Sequence, residues 1–323
     1  MLPAPTPRTI EVQNGEITLR VAVAGEGPLV LCVHGWPELA SSWRHQVAHL
    51  SARGYTVAAL DVRGYGGSSK PEAIAAYTLR ELSGDVLAVA AALSDAPVVL
   101  VGHDWGAPIV HTTALLAPDR VRAVASLSVP YMPTGEVMIL DVFRQIYAGR
   151  FFYQLYFQEE GPIEAEIEAD VGAALRKIYF GASGQGAGAF TDDKPAGARF
   201  LDGLVDPEPL PAWLTAEEVE ACARAFEAGG LRGPMNRYRA QPIDHEELAA
   251  LRGARLTQPA CFIAGAADPV RRFIPGLDLY APAALAGYAD LRARTILDGV
   301  GHWVQQEAPA ATNEALERFL AEL

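Results

Sequence analysis

The sequence predicts an α/β fold in which a helical insertion interrupts a mostly parallel sheet. The first observation is an alternation of apolar, strand-like runs with helical patterns, since "PLVLCV" at 28–33, "YTVAAL" at 55–60 and "VVLV" at 98–101 are separated by helix-like segments. Such alternation indicates parallel strands joined by right-handed crossovers. The second is that this pattern stops near Pro133 and returns with "PACFIAG" at 259–265.

The elements follow from local signals. "TIEVQNGEITLRVAVAG" at 9–25 is typical of a hairpin that turns at Asn14 and Gly15. "SSWRHQVAHLSARG" at 41–54 predicts a helix with Ser41 or Ser42 as its N-cap and Gly54 as its stop. "TLRELSGDVLAVAAAL" at 78–93 predicts an amphipathic helix, and "RAVASLSV" at 122–129 predicts a further buried strand.

The long middle segment predicts a helical cap, or lid. We expect a core formed by residues 1–132 and 242–323 and a cap formed by residues 133–241. Thr215 and Glu218 have the spacing of a capping box at the start of one of its helices. The glycine-rich stretch 181–188 follows no strand and lacks the lysine of a P-loop, so we interpret it as part of the lid and not as a phosphate site.

Composition limits the partners. The net charge of -13, without a cluster of Lys and Arg, disfavours nucleic acids and anionic membranes. The three cysteines, Cys32, Cys222 and Cys261, have no CxxC spacing, which indicates buried thiols, with no disulfide framework and no metal site. We expect a cytoplasmic protein without a signal peptide or membrane span. Whether the chain forms a homodimer is left open.

One short motif predicts where the chemistry lies. In "VGHDWGA" at 101–107, a buried strand meets a helix across small residues, which is the layout of a nucleophile elbow in an α/β-hydrolase sheet. Gly102, Gly106 and Ala107 supply the small positions, and Asp104 occupies the position of the nucleophile. The elbow therefore predicts an aspartate nucleophile where serine or cysteine would indicate acyl transfer.

The other members of a catalytic triad are predicted from chain order. In this fold an acid and then a histidine follow the nucleophile, each after a strand. Asp268 follows "PACFIAG", and His302 lies in "GVGHW" after the last strand-like run. Asp278 and Asp298 are less well placed.

Two backbone N–H groups complete the predicted site. "HGWP" at 34–37 comes directly after a buried strand, and in this fold such a loop contributes one donor of an oxyanion hole. We predict that Trp36 gives this donor and that Trp105, the residue after the nucleophile, gives the second.

An aspartate nucleophile has a chemical consequence. A carboxylate is ionised at neutral pH and attacks without a general base. Attack on a saturated carbon gives an alkyl ester, which water can open at its carbonyl when a histidine acts as base. Asp104 thus predicts hydrolysis by substitution at an sp³ carbon.

Tyrosines in the insertion suggest a leaving group. A halide needs N–H donors, whereas the oxygen of a strained epoxide needs acidic O–H donors. The insertion holds "FFYQLYFQEEGP" at 151–162 and "PMNRYRAQP" at 234–242. The sequence by itself does not say whether Tyr153 and Tyr238 lie together above Asp104.

The chain resembles the α/β-hydrolase epoxide hydrolases of the soluble type from about Thr9 to Phe319. The resemblance rests on "HGWP", "DVRGYGGSS", "GHDWG", "FFYQLYFQEEGP", "NRYR", "AADPV" and "GHWVQQEAP". It implies an α/β-hydrolase fold with a mostly parallel eight-stranded sheet and an inserted helical lid. It also implies conversion of small-molecule epoxides and water to vicinal diols without a cofactor or metal. In one departure from some mammalian relatives, we expect no N-terminal phosphatase domain in this chain.

The same resemblance implies the role of each site residue. Asp104 would be the nucleophile, Asp268 and His302 the charge-relay pair, and Trp36 and Trp105 the oxyanion donors. Tyr153 and Tyr238 would be the ring-opening acids, and Tyr156 would pack within the lid.

Two alternatives remain at this stage. A haloalkane dehalogenase shares the fold, the aspartate and "HDWG", but the residue after its "HG" is typically Asn or Glu, whereas Trp36 stands here. A ligand receptor on a hydrolase scaffold would bind without turnover, and the intact triad disfavours it.

Overall fold

A computed structural model of the chain describes residues 6–186 and 194–323, and within these ranges eight strands form a single sheet. The strands are β1 (Arg8–Asn14), β2 (Ile17–Ala24), β3 (Leu29–Val33), β4 (Thr56–Leu60), β5 (Val98–His103), β6 (Val121–Leu127), β7 (Leu256–Gly265) and β8 (Tyr288–Leu297). Their order is β1-β2-β4-β3-β5-β6-β7-β8. β2 runs antiparallel to both neighbours, and the pairs from β4 to β8 are parallel. The predicted mostly parallel sheet is confirmed.

The central strands are apolar throughout because both faces of the sheet are covered. Along β3, Leu31 packs into one hydrophobic cluster, whereas Val30 and Cys32 pack into the cluster on the opposite face. β5 has the same division, with Leu100 on the first face and Val101 on the second. This two-sided burial explains why these runs lack the alternation of a half-exposed strand.

Helices cover both faces and form the insertion. Those of the core are α1 (Arg44–Ser51), α2 (Leu79–Leu93), α3 (Gly106–Leu116), α11 (Val304–Glu307) and α12 (Pro309–Ala321). Those between β6 and β7 are α4 (Ile139–Ile146), α5 (Tyr153–Tyr156), α6 (Pro162–Glu168), α7 (Val171–Ala182), α8 (Ala216–Gly229), α9 (Arg232–Arg239) and α10 (Gln241–Glu247). Between β6 and β7, the described residues include no strand beyond the isolated bridge of Arg150 and Pro195.

The predicted hairpin and the predicted capping box are both present in the structure. The hairpin pairs Asn14 with Ile17, and Gly15 between them has a φ of 60°, which favours glycine. The capping box is present at α8, where Thr215 Oγ1 accepts from Glu218 N and Glu218 Oε2 accepts from Thr215 N. Residues 187 and 188 of the glycine-rich stretch lie outside the described residues.

The predicted serine cap of α1 is wrong. A 3₁₀ turn, Ala40–Trp43, comes before the helix, and no side chain caps either element. Ser42 lies inside this turn, where its N–H donates to Leu39 O, so the chain is already helical before the predicted cap could act. In the described part of the chain, no helix combines the length and apolar character needed to cross a bilayer.

Candidate active site

Asp104 stands on a strained turn between β5 and α3. Its φ of 49° lies in the left-handed region, which is costly for a residue with a side chain. The turn depends on glycine, because a Cβ on Gly106 would lie 1.9 Å from Val33 O and one on Gly102 would lie 2.3 Å from Gly106 O. The small residues of the motif therefore permit the close strand-to-helix contact that presents the Asp104 carboxylate.

The two carboxylate oxygens of Asp104 have different partners. Oδ1 accepts the backbone N–H of Trp36 at 2.8 Å, and Oδ2 lies 3.3 Å from His302 Nε2. Gly35 makes this approach possible, because a Cβ there would stand 2.3 Å from Asp104 Oδ1 and 2.6 Å from Trp105 N. Within the described residues Trp105 N makes no hydrogen bond to Asp104, so Trp36 is the predicted donor that the structure places on the carboxylate.

The loop that carries Trp36 is held by a buried histidine. His34 Nε2 accepts from Val62 N at 3.0 Å, and His34 Nδ1 lies 2.8 Å from Gly35 O. One ring nitrogen must accept and the other must donate, so the imidazole is neutral. Burial lowers the pKa of His34, which agrees with this assignment.

His302 lies between two carboxylates. Its Nδ1 is 3.1 Å from each oxygen of Asp268, and Asp268 Oδ1 also accepts from Val270 N at 2.9 Å. Burial lowers the pKa of His302, but the charge of Asp268 and the hydrogen bonds to Asp104 and Asp268 outweigh it and hold the pKa well above its usual value. Conversely, burial raises the pKa of Asp104, while the hydrogen bond and charge of His302 bring it below the ordinary value.

The structure brings Tyr153 and Tyr238 together, which the sequence alone could not show. Tyr153 begins α5, Tyr238 lies in α9, and their ring centroids are 6.1 Å apart. Both line one small cavity with Asp104 and His302. Burial raises the pKa of both phenols and the charge of Asp104 adds to this, so both hydroxyls stay protonated and are able to donate.

The competing residues have other partners. Tyr156 donates to Glu166 Oε2 at 3.1 Å, and it does not line the cavities at Asp104. Asp278 makes two hydrogen bonds with Arg271, at 2.9 and 2.7 Å, and this partner lowers the pKa of Asp278 to about 2. Asp298 is exposed in the turn after β8.

Comparison with known proteins agrees with this geometry. A family described as the alpha/beta hydrolase fold matches residues 28–175. Epoxide hydrolase A of Mycobacterium tuberculosis is 42% identical over 99% of this chain and 98% of its own length. The chain belongs to the epoxide hydrolase family.

Solved structures of this family superpose over nearly the whole chain. Epoxide hydrolase A from Mycobacterium thermoresistibile has a TM-score of 0.91 at 43% identity and covers 98% of both chains. An epoxide hydrolase from an endophytic Streptomyces also has a TM-score of 0.91 at 43% identity, covering 98% of this chain and 96% of its own. The predicted α/β-hydrolase fold and the predicted family are thus confirmed.

Sequence reasoning missed a buried polar cluster behind the triad of this family member. His103 Nε2 lies 2.8 Å from His302 O, and His103 Nδ1 lies 2.7 Å from Glu38 Oε2. Glu38 Oε1 accepts from the amides of Gln305 and Gln306 at 2.9 and 2.8 Å. His103 and Glu38 are fully buried, so they fix the backbone of the His302 loop. Their positions directly beside Asp104 and after "HGWP" are the signal that could have found them.

Proposed function

We propose that this chain converts epoxides to vicinal diols through an alkyl ester on Asp104. The observation that carries the proposal is that the two carboxylate oxygens of Asp104 have different partners. Oδ1 is held by the Trp36 N–H at 2.8 Å, and Oδ2 faces His302 Nε2 at 3.3 Å, in a cavity that both tyrosines line.

In the first half-reaction, Asp104 Oδ2 attacks one ring carbon of the epoxide. The C–O bond of the ring breaks, and its electron pair passes to the ring oxygen, which takes a proton from Tyr153 or Tyr238. Burial raises the pKa of both phenols, so each stays protonated beside the Asp104 anion and has a proton to give when the ring oxygen gains charge. The product is a neutral ester of Asp104 that carries the new hydroxyl.

Ester formation changes the electrostatics around His302. The charge and hydrogen bond of Asp104 contribute to the raised pKa of His302, and the ester removes that charge. The pKa of His302 therefore falls when the ester forms, which favours the neutral imidazole that can accept a proton. Alkylation thus prepares the base for the second step.

In the second half-reaction, His302 takes a proton from water, and the hydroxide attacks Cγ of the ester. Asp268 orients the imidazole and stabilises its positive charge through Nδ1. The negative charge develops on Oδ1, which already accepts the Trp36 N–H, and Trp105 N is the predicted second donor. Collapse of this intermediate breaks the bond between Cγ and the diol oxygen, and the diol takes the proton from His302. The acid proton then left on Asp104 passes to the tyrosinate formed in the first half-reaction, which restores the carboxylate and the phenol.

Residues 133–241 serve as a cap that brings both tyrosines over the core formed by residues 1–132 and 242–323, and that limits access of bulk water. The enzyme acts on a small-molecule epoxide and water without a cofactor, and we place it in the cytoplasm.

The test is a pair of assays on the purified protein. Racemic styrene oxide is offered in one and 1,2-dibromoethane in the other, with diol measured by chromatography and bromide by electrode. The proposal predicts diol and no bromide. Bromide without diol would instead indicate a haloalkane dehalogenase, and binding without either product would indicate a receptor.

A further inference from the structure

A buried arginine stands directly beside the proposed acid Tyr238. Arg237 lies in α9, and only 2% of its surface is exposed. A buried guanidinium needs partners for its charge and its N–H groups, and here these partners are the Asp244 carboxylate and the Tyr77 carbonyl oxygen. Tyr77 belongs to the 3₁₀ turn that precedes α2, so the Arg237 side chain reaches from the insertion into the core.

The partner carboxylate makes a second link to the core. Asp244 lies in α10, and its Oδ1 accepts from Leu79 N, the first N–H of α2, at 2.6 Å, whereas its Oδ2 accepts from Arg237. The first N–H groups of a helix lack partners within the helix, so a carboxylate there satisfies a donor and stabilises the positive end of the helix dipole. Arg237 and Asp244 thus form a buried ion pair that joins α9 and α10 to the start of α2.

The same guanidinium lies over the face of the Trp105 indole. The Cζ atom of Arg237 is 4.7 Å from the centre of the ring, which is within the range of a cation–π contact. Trp105 in turn contacts the ring of Tyr238 edge to face, with the two centroids 5.2 Å apart and the two planes at 86°. Arg237 therefore holds the indole against which the Tyr238 ring packs.

The indole also acts on the hydroxyl of Tyr238. Burial raises the pKa of Tyr238, and Tyr153 and the charge of Asp104 raise it further, whereas a hydrogen bond from the Trp105 side chain opposes the rise. An N–H donor at the hydroxyl oxygen favours the phenolate, because it stabilises negative charge on that oxygen. Since Tyr238 becomes a phenolate when it protonates the ring oxygen, the position of the indole matters most in ring opening.

We infer that Arg237 is a positioning residue for ring opening, which holds the Trp105 indole where it orients Tyr238 and stabilises its phenolate. The inference rests on the proposed function, in which Tyr238 is one of two acids. Arg237 lines neither of the two cavities at Asp104, so it acts through Trp105 and not on the substrate.

A second buried arginine of α9 is the matched control. Arg239 is 6% exposed and also binds a carboxylate, that of Glu164, at 2.6 Å, together with the carbonyl oxygens of Phe157 and Glu159. Among the described residues, the hydrogen-bond partners of Arg239 all lie within the insertion. Replacement of either arginine therefore removes a buried ion pair, but only replacement of Arg237 removes the contact with the indole.

The test is rapid-quench measurement of both half-reactions with styrene oxide. Arg237→Met should lower the rate of alkylation about 10-fold, the effect of losing one hydrogen bond to a charged group. Ester hydrolysis should stay within about 2-fold of the wild type, because the acid works only in ring opening. In the Tyr238→Phe background the same substitution should lower alkylation by less than about 2-fold, since the acid that Arg237 positions is already absent. Arg239→Met should alkylate at least about 5-fold faster than Arg237→Met.

Several results would overturn the inference and leave the proposed function intact. These are an unchanged rate of alkylation in Arg237→Met, an equal loss in hydrolysis and in alkylation, an undiminished loss in the Tyr238→Phe background, and an equal loss in Arg239→Met. The last three would mean that Arg237 contributes only to the stability of the fold. Absence of alkyl-enzyme from the wild type overturns the proposed function and the inference with it.

A buried ion pair is costly to break, so melting curves check that each variant is folded. If Arg237→Met does not fold, the paired variant Arg237→Met with Asp244→Asn replaces it. This variant leaves no buried charge without a partner and keeps a side-chain oxygen that can accept from Leu79 N. It should show the same loss of alkylation, and alkylation at the rate of the wild type overturns the inference.

Discussion

Removal of the two tyrosine hydroxyls is the most informative perturbation of ring opening. In Tyr153→Phe and Tyr238→Phe the ring and its packing are kept, and only the proposed proton donor is lost. The rings lie 6.1 Å apart in one cavity with Asp104, so both hydroxyls can serve the same oxygen. Each single variant therefore keeps one donor, and the double variant keeps neither.

The magnitude follows from the kind of hydrogen bond that is lost. A bond to a charged group contributes about 1.5–3 kcal/mol, which corresponds to a loss of about 10- to 150-fold in the alkylation rate of each single variant. The double variant should lose more than the product of the two single effects, because each tyrosine partly replaces the other. Rapid-quench measurement of alkyl-enzyme formation from styrene oxide gives the rates directly.

Tyr156→Phe is the matched control, because this tyrosine donates to Glu166 and does not line the cavities at Asp104. Its alkylation rate should stay within about 2-fold of the wild type, as for most changes away from a site. A double Tyr153 and Tyr238 variant that alkylates within 10-fold of the wild type would refute the assignment of both residues as ring-opening acids.

Three further predictions concern the machinery around the nucleophile. Asp104→Asn should be inactive when freshly prepared, and it should lower the pKa of His302 because the charge of Asp104 helps to raise that pKa. NMR titration of the imidazole measures the shift, and an unchanged or higher pKa would contradict the proposed electrostatics. Gly106→Ala should destabilise the fold by about 1–3 kcal/mol, because the added Cβ would meet backbone Val33 O at 1.9 Å; urea unfolding tests it, and wild-type stability would argue against a crowded elbow. Glu38→Gln should lower the free energy of unfolding by about 3–5 kcal/mol, because it removes one charge of a fully buried pair with His103. A loss below about 1 kcal/mol in the same urea assay would mean that Glu38 and His103 do not form an ion pair.

The sequence predicted the triad because strand ends are easy to recognise. Asp104 and Asp268 each follow an uninterrupted apolar run, and the carboxyl ends of parallel strands meet at one edge of a sheet. His302 comes after β8, which mixes polar and apolar residues, so its assignment depended more on chain order than on strand pattern. The aspartate at the position of the nucleophile then indicated hydrolysis by substitution at a saturated carbon.

Other features depend on packing that no local pattern records. Tyr153 and Tyr238 belong to separate helices of the insertion, and aromatic residues in helices are common in any core, so only the family resemblance paired them. Ser42 has the residue type of an N-cap, but it lies inside the 3₁₀ turn that precedes α1 and does not cap that helix.

The most direct test of the account is detection of the ester on Asp104. His302→Gln removes the base and leaves the nucleophile in place, so this variant should react with styrene oxide once and then stall. Mass spectrometry of its peptides should show the peptide that contains Asp104 heavier by the mass of one substrate molecule, with one equivalent of styrene oxide consumed. Continued formation of diol with an unmodified Asp104 peptide would contradict the covalent route and favour direct attack by water.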